Sequence, residues 1–140
     1  MDCEIRWLGN ETMSFVAETG SGHSFVIDSA IESGGRNLGP RPMETLLSGA
    51  ITCSIFDIIK YLRESKQNIT GCKVSVKAER EDKSPRVFKS IHFHIIISGK
   101  YIEEERVRKA IELTKTQLGS GYKTLSMTAE ITDSFEILES

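Results

Sequence analysis

Three cysteines, Cys3, Cys53 and Cys72, carry the thiols of this 140-residue chain, and they stand far apart. The chain contains no C-x-x-C, so neither a zinc ribbon nor a thioredoxin-type motif is available. The odd number of cysteines disfavours a disulfide-stapled secreted fold, as does an N-terminal sequence without the basic and apolar regions of a signal peptide. The chemical question is therefore whether one of the three thiols is reactive.

Cys53 lies between Thr52 and Ser54, the most polar neighbours that its helix offers. Geometry alone favours a core cysteine at this position. A reactive cysteine needs a thiolate that a nearby cation or a helix N-terminus stabilises, and Cys53 is about three turns from the predicted helix start. A cation would therefore have to come from elsewhere in the fold. Cys3 and Cys72 alternate with apolar residues in predicted strands, and we expect both to be buried as small hydrophobic side chains.

Acids and histidines supply the other candidates. Asp57 follows Cys53 by one helical turn, and because an acid disfavours a neighbouring thiolate, we expect Asp57 to be a structural hydrogen-bond acceptor or cap. His92 and His94 form an H-x-H pair on a predicted strand, and without a third ligand the pair predicts solvent-facing side chains and no metal site. His23, in a predicted turn, is either a general base or a polar turn residue, and the second interpretation is favoured.

Composition and charge limit the class of protein and its partners. Apolar residues make up 39% of the chain and charged residues 27%, which is typical of one globular domain over residues 1–140. The net charge of −2 and the lack of a basic run disfavour a nucleic-acid partner. The longest charge-free stretch, residues 45–56, is too short to span a bilayer, so we expect no membrane segment and a cytoplasmic protein.

The elements that position these residues follow from the spacing of apolar side chains. Alternation and glycine-rich turns predict a meander of three short strands over residues 1–32. A loop rich in Gly and Pro follows over residues 33–42 and carries Arg36 and Arg41. The next segment, residues 43–66, begins after two prolines, contains none itself and predicts a long helix.

The second half, residues 67–140, predicts two further strands, an amphipathic helix and a last strand. The helix begins at Glu103 with three acids, which suit the positive end of a helix dipole, and a Gly-Ser-Gly sequence ends it. The last strand is predicted from strict alternation of Leu125, Met127, Ala129 and Ile131. The predicted fold class is therefore α+β, with the element order β-β-β-α-β-β-α-β.

The long helix is apolar on nearly every side, which is typical of a buried helix. A chain of 140 residues covers such a helix on all sides only with difficulty. We therefore expect a homodimer in which two chains share their sheets around the central helices.

A family resemblance rests on the start of this helix. The matching residues are Pro42-Met43-Glu44-Thr45-Leu46-Leu47, Gly49, Cys53 and Asp57. They resemble the P-M-E-x-L-L…G-x-x-x-C…D segment of the OsmC/Ohr superfamily. The resemblance is strongest to the OsmC branch of the YhfA-like proteins. The preceding sequence also fits that branch, in Ser21-Gly22-His23, Asp28, Gly34-Gly35 and Gly39-Pro40. The element order fits the family over the whole of residues 1–140.

The resemblance implies an intertwined dimer and a thiol chemistry. Active members of the family are thiol-dependent peroxidases for organic hydroperoxides and sometimes for hydrogen peroxide. A cysteine on the central helix attacks the peroxide as thiolate and becomes a sulfenic acid, and a second cysteine near the end of the later helix then closes a disulfide. Cys53 matches the first of these cysteines, so the resemblance makes it the expected site residue.

This chain departs from the family at the second cysteine, because Gly119 stands at the matching position and Ser120 follows it. The resemblance therefore implies that an external low-molecular-weight thiol reduces Cys53. Coenzyme A or a comparable thiol would suit if Arg36, Arg41 or Lys60 met its anionic tail.

The chain also departs from the hydroperoxide-specific branch at two charged positions. That branch carries an arginine in the turn after the second strand, where this chain has residues 20–23 without an arginine. The same branch carries a glutamate ten residues before the cysteine, where this chain has Met43. Glu44 lies nine residues before Cys53, and on a straight helix it therefore points about 180° away from Cys53. Arg36 or Arg41 are the candidates for the missing charge.

The leading function is thus reduction of organic hydroperoxides or other peroxides in defence against oxidative stress, with Cys53 as the catalytic residue and no required cofactor. The supporting or binding candidates are Glu44, Asp57, Arg36, Arg41 and His23. The alternative is a binding protein that holds a small thiol or lipid-like ligand at the dimer interface without turnover. The retained cysteine favours the enzyme, and the missing second cysteine and arginine favour the binding protein.

Overall fold

The computed structural model describes all 140 residues and groups them into two compact units, Met1–Ser48 and Gly49–Ser140. Each unit contains one three-stranded sheet. The mixture of helices with two small sheets confirms the predicted α+β class.

In the first unit, three short strands form an antiparallel meander as predicted: β1 (Cys3–Trp7), β2 (Phe15–Thr19) and β3 (Ser24–Ile27). Gly22 supplies a left-handed backbone with φ of 88° in the turn between β2 and β3, a conformation that glycine adopts without strain. The central strand holds the buried Ala17, whereas every residue of β1 is exposed. A single 3₁₀ turn, Ile31–Ser33, interrupts the loop that follows.

The long helix, α1 (Pro42–Glu64), begins one residue earlier and ends two residues earlier than predicted. It ends there because Lys66 takes a left-handed backbone with φ of 60°. In the part of α1 that belongs to the second unit, only one face is buried, formed by Ile51, Ser54, Ile58 and Leu62. A single chain therefore does not cover the helix on all sides, since Phe56 is 66% exposed, and its cover by a second chain stays a prediction.

The sheet of the second unit is built on β5. Strands β4 (Asn68–Arg80) and β5 (Phe88–Lys100) are antiparallel, and β6 (Glu130–Glu139) lies parallel to β5 on its other side. The helix α2 (Glu104–Leu113) starts one residue after the predicted position and buries Val107, Ala110 and Ile111. The core of this unit is the inward face of β5, contributed by Ile91, Phe93, Ile95 and Ile97.

The predicted strand around residues 125–131 is wrong up to Ala129, because β6 begins only at Glu130. A π turn (Thr114–Leu118) follows α2, and a third helix, α3 (Ser120–Ser126), comes before β6. Leu125 and Ala129 are both buried while Met127 is 74% exposed. Apolar residues four apart share one face of a helix as readily as alternate residues share one face of a strand, so the pattern did not distinguish the two.

The length of α1 bears on the expectation that the chain has no membrane segment. Over its 23 residues, α1 is long and apolar enough to cross a bilayer by length and composition, although its charge-free stretch is shorter. One such helix is weak evidence for a membrane span, because the core helix of a soluble protein passes the same test.

Candidate functional site

Cys53 lies on the face of α1 that points away from the core of its own chain. Its thiol is free and exposed. Leu62, nine residues further on, points about 180° away around the helix and is fully buried. The expectation from geometry alone, a core cysteine, is therefore wrong, because the apolar residues that face the core stand on the other side of the helix.

The residues that share this outer face are Phe56, Asp57 and Lys60. Phe56 and Lys60 are exposed and Asp57 is half-buried. Asp57 makes no hydrogen bond or ion pair within the chain, so the expected role of structural acceptor or cap is not realised here. The outer face of α1 thus combines a thiol, an aromatic ring and a cation without a partner inside the chain.

The start of α3 packs very closely on α1 one turn before Cys53. A Cβ built on Gly121 would overlap the backbone of Ala50, and Gly121 is buried. The next residue, Tyr122, meets Phe93 of β5 edge to face, with ring centroids 6.1 Å apart. Gly119, which the resemblance aligns with a second cysteine, donates its backbone N–H to the Thr114 carbonyl at 2.9 Å.

Gly121→Ala is expected to destabilise the protein by about 1–3 kcal/mol, because the added methyl overlaps backbone that cannot move without shifting α3. Gly49→Ala is the matched control: a Cβ there meets nothing within 4 Å, so the better helix former should stabilise α1 by up to about 1 kcal/mol. Urea unfolding followed by circular dichroism measures both changes. Equal stabilities of the two variants would contradict the close packing of α3 on α1.

Asp28 organises the loop of the first unit. Its side chain is fully buried and accepts four hydrogen bonds, from Ser14 Oγ at 2.7 Å and from the backbone N–H groups of Ser29 at 2.7 Å, Arg36 at 3.2 Å and Leu38 at 3.0 Å. Burial by itself raises the pKa of this carboxyl, but the four hydrogen bonds outweigh it and hold the pKa well below its usual range. One ionised carboxylate therefore fixes the path of the loop from Ser29 to Leu38.

The two predicted arginines lie on or beside this loop. Arg36 is tied to Asp28 through its backbone, and its guanidinium is exposed without an ion pair. Arg41 donates from Nη1 to the Gly39 carbonyl at 3.2 Å and also has no carboxylate partner on its guanidinium. Glu44 Oε1 accepts a hydrogen bond from the backbone N–H of Arg41 at 3.3 Å, which is the geometry of a helix capping box. Glu44 therefore caps α1.

His23 is a turn residue, as the favoured interpretation predicted. Its Nδ1 lies 3.1 Å from Ser21 Oγ, and its backbone N–H donates to Thr19 Oγ1 at 3.3 Å. All of these bonds stay within the turn between β2 and β3, and the ring is exposed.

The other two cysteines differ from their predicted burial. Cys3 is exposed, as is every residue of β1, the edge strand of the first sheet. Cys72 is half-buried at the outer strand of the second sheet, and its burial raises the pKa of the thiol, which disfavours the reactive thiolate. Cys53 is thus an exposed thiol on a helix, whereas the other two stand on edge strands.

His92 and His94 face solvent on β5 as predicted, opposite the buried Ile91, Phe93 and Ile95. No group of three or more His, Cys, Asp or Glu side chains in the 140 residues is arranged to hold a metal ion.

Asp28 matches the family branch, but the sequence patterns did not predict that it organises the loop. The available indication was an acid at the end of a strand directly before a Gly-, Ser- and Asn-rich loop, whose backbone amides need an acceptor.

Comparisons with known proteins cover the whole chain. Residues 34–132 match the family of OsmC-like proteins. Protein YhfA of Escherichia coli strain K12 is 30% identical over 138 residues, which are 99% of this chain and 98% of that protein. Among solved structures, one from structural genomics is 28% identical, covers 100% of both chains and has a TM-score of 0.87. An organic hydroperoxide resistance protein OsmC from Legionella pneumophila has a TM-score of 0.70 at 13% identity and 97% coverage of both chains, and at that identity shows the fold alone.

The residues matched by the family include the whole of α1 with Cys53, and the strands β4 and β5 of the second sheet. The relative YhfA extends the likeness to nearly every residue of the chain. This chain therefore belongs to the OsmC-like family.

Proposed function

We propose that this protein reduces organic hydroperoxides through the thiol of Cys53, with a small external thiol as the reductant, in resistance to peroxide stress. The observation that carries the proposal is the exposed, free Cys53 thiol on the outer face of α1, in a family with a member named for organic hydroperoxide resistance. In the single chain, a thiol there is reached by a dissolved substrate without local unfolding.

The proposed reaction has two halves. The Cys53 thiolate attacks one peroxide oxygen, the O–O bond breaks, and the products are a cysteine sulfenic acid and, after protonation, an alcohol. A small thiol then displaces the hydroxyl as water and leaves a mixed disulfide on Cys53. A second thiol molecule attacks the small-molecule sulfur, so the Cys53 thiolate and a small-molecule disulfide are released. Two thiols are oxidised for each peroxide reduced.

An external reductant is the natural partner because the chain offers no thiol for an internal disulfide near Gly119. Cys3 and Cys72 lie on strands, and Cys72 is half-buried. A coenzyme A-like thiol is the class we favour, because Lys60 shares the outer face of α1 with Cys53 and is a cation without a carboxylate partner for an anionic tail.

The test is to treat the protein with cumene hydroperoxide, then with coenzyme A, and to measure intact mass and peptide maps. We expect one adduct, on Cys53, that is absent from Cys53→Ser and unchanged in Cys72→Ser. An internal disulfide between Cys53 and Cys3 or Cys72 as the main product would contradict the external reductant.

We also propose that the protein works as a homodimer. In the first unit, one face of the small sheet leaves Ile5 and Trp7 57% and 56% exposed, and in the second unit Phe56 of α1 is 66% exposed. Apolar side chains in such numbers on a small domain are typical of an interface, and a second copy of the chain is the partner that the family suggests.

The homodimer predicts twice the monomer mass in sedimentation equilibrium at low micromolar concentration. Trp7→Lys or Phe56→Lys should shift the equilibrium toward the monomer, because each places a charge in the covered apolar face. Lys83→Glu, in the exposed turn between β4 and β5, is the charge-changing control and should leave the mass unchanged. A folded monomer of the unmodified chain at these concentrations would exclude the dimer.

A binding protein without turnover is the second candidate, and Gly119 at the position of the family's second cysteine is the observation that favours it. Its prediction differs in one respect: peroxide leaves Cys53 unoxidised, while coenzyme A still protects the thiol from alkylation.

A further inference from the structure

The solvent face of the second sheet carries a continuous chain of hydrogen bonds between β5 and β6. His92 Nδ1 lies 2.7 Å from Thr132 Oγ1, and His92 Nε2 lies 3.1 Å from Ser134 Oγ. The same Ser134 Oγ lies 2.8 Å from His94 Nδ1, and His94 Nε2 lies 3.4 Å from Glu136 Oε1. Two imidazoles and two hydroxyls thus lead to one carboxylate across the paired strands.

With both imidazoles neutral, only one placement of protons satisfies all four bonds. The Glu136 carboxylate can only accept, so His94 donates from Nε2 and its Nδ1 is left as an acceptor. Ser134 must then donate its hydroxyl proton to His94 Nδ1 and accept from His92 Nε2–H. Thr132 completes the chain by donating to His92 Nδ1. The Ser134 proton is therefore directed at the imidazole whose other nitrogen is held by an acid.

We propose that Ser134, His94 and Glu136 form a nucleophile, general base and orienting acid that hydrolyse small activated carboxylic esters. The defining geometry is a nucleophile within hydrogen-bond reach of a base that a third group orients, and this recurs on unrelated folds. Glu136 fixes the tautomer of His94 and stabilises the imidazolium that forms when His94 takes the serine proton. This activity is separate from the thiol chemistry of Cys53 and does not rest on it.

A small ester has room to reach Ser134. Ser134 and His94 are half-buried, and the neighbouring His92, Thr132 and Glu136 are exposed, so the hydroxyl is approached from solvent on this face of the sheet. The strand β6 is the outer strand of its sheet, so the backbone N–H groups on its free edge have no strand partner. N–H groups of this kind stabilise an oxyanion where a substrate carbonyl reaches them.

The proposed reaction consumes an ester and water and releases a carboxylic acid and an alcohol. Ser134 Oγ bonds to the carbonyl carbon while its proton passes to His94 Nδ1, and the alcohol leaves with that proton when the ester C–O bond breaks. Water then attacks the acyl-serine and gives its proton to His94, which returns a proton to Ser134 Oγ as the acid leaves. No group is oxidised or reduced.

The kinetic test uses p-nitrophenyl acetate with the full chain carrying Cys53→Ser, because a free thiol at that position would itself be acylated. In that background, adding Ser134→Ala or His94→Gln should lower the initial rate of nitrophenol release by about 100-fold. Ser75→Ala is the matched control, a serine paired with His94 from the opposite strand β4 and without a hydrogen bond to the imidazole. It should stay within about twofold of its parent. Equal rates in the Ser134→Ala chain and its parent would overturn the proposal.

A labelling test needs no substitution in the sheet. A fluorophosphonate probe incubated with the unmodified protein should add one phosphonyl group, which peptide mapping places on Ser134. Mapping of the group to another residue, or no adduct after prolonged incubation, would overturn the proposal.

Discussion

Cys53→Ser is expected to lower the rate of cumene hydroperoxide reduction by about 100-fold or more. Serine has nearly the same shape as cysteine, so at an exposed position on α1 the substitution should leave the fold intact. Its hydroxyl stays protonated at neutral pH and cannot attack the peroxide oxygen as the thiolate does. The measurement is steady-state turnover with coenzyme A and with dithiothreitol as donors.

Cys72→Ser is the matched control for this loss. The thiol of Cys72 is half-buried and its burial disfavours the thiolate, so the control should keep the activity of the unmodified chain within about twofold. Turnover that survives in Cys53→Ser but disappears in Cys72→Ser would move the site to β4 and contradict the role given to α1.

Periodicity predicted the strands of the first sheet as well as β5, but only in β5 do buried residues alternate with less buried ones. The same rule failed at Leu125, where α3 stands instead. Gly121 allows α3 to approach the backbone of Ala50, and that contact between residues far apart in sequence is absent from any local pattern.

Periodicity gives the face on which a residue lies, and does not give what covers that face. Cys3 is in phase with Ile5, yet the whole of β1 is exposed in the chain. Cys53 was placed correctly on α1, but its side of the helix follows from where Leu62 and Ile58 pack, which is a property of the tertiary structure. The family motif points to Cys53 without any reference to packing, because it is a match of residue types and spacing.

Asp28→Asn is expected to lower the melting temperature by about 10 °C or more, since breaking a buried hydrogen-bond network belongs to the most destabilising changes. The amide keeps the volume of the carboxylate but turns an NH₂ group toward donors, so at least one of the Ser29, Arg36 and Leu38 backbone N–H groups loses its acceptor. The single tryptophan, Trp7, reports on this unit, because its Nε1 donates to the carbonyl of Thr12, whose hydroxyl bonds to Ser14. Its fluorescence during heating measures the change.

The same substitution should alter how stability depends on pH. The pKa of Asp28 is lowered in the folded protein, so its ionised form contributes stability that is fully present above the unfolded pKa of about 4. That contribution is lost as the pH falls below about 4 toward the folded pKa, because the unfolded chain binds the proton first. The amide that replaces the carboxylate does not titrate, so the variant should lose less stability than the parent between pH 5 and pH 3 (both rough limits of that window).

Asp82→Asn separates this effect from a general loss of negative charge. Asp82 is exposed in the turn between β4 and β5 and makes no hydrogen bond or ion pair within the chain. Its substitution should shift the melting temperature by no more than about 2 °C and leave the acid dependence of the parent in place. A matching acid dependence in Asp28→Asn and its parent would mean that the carboxylate does not hold the loop. The path of the backbone beside Arg36 would then depend on the 3₁₀ turn and the glycines alone.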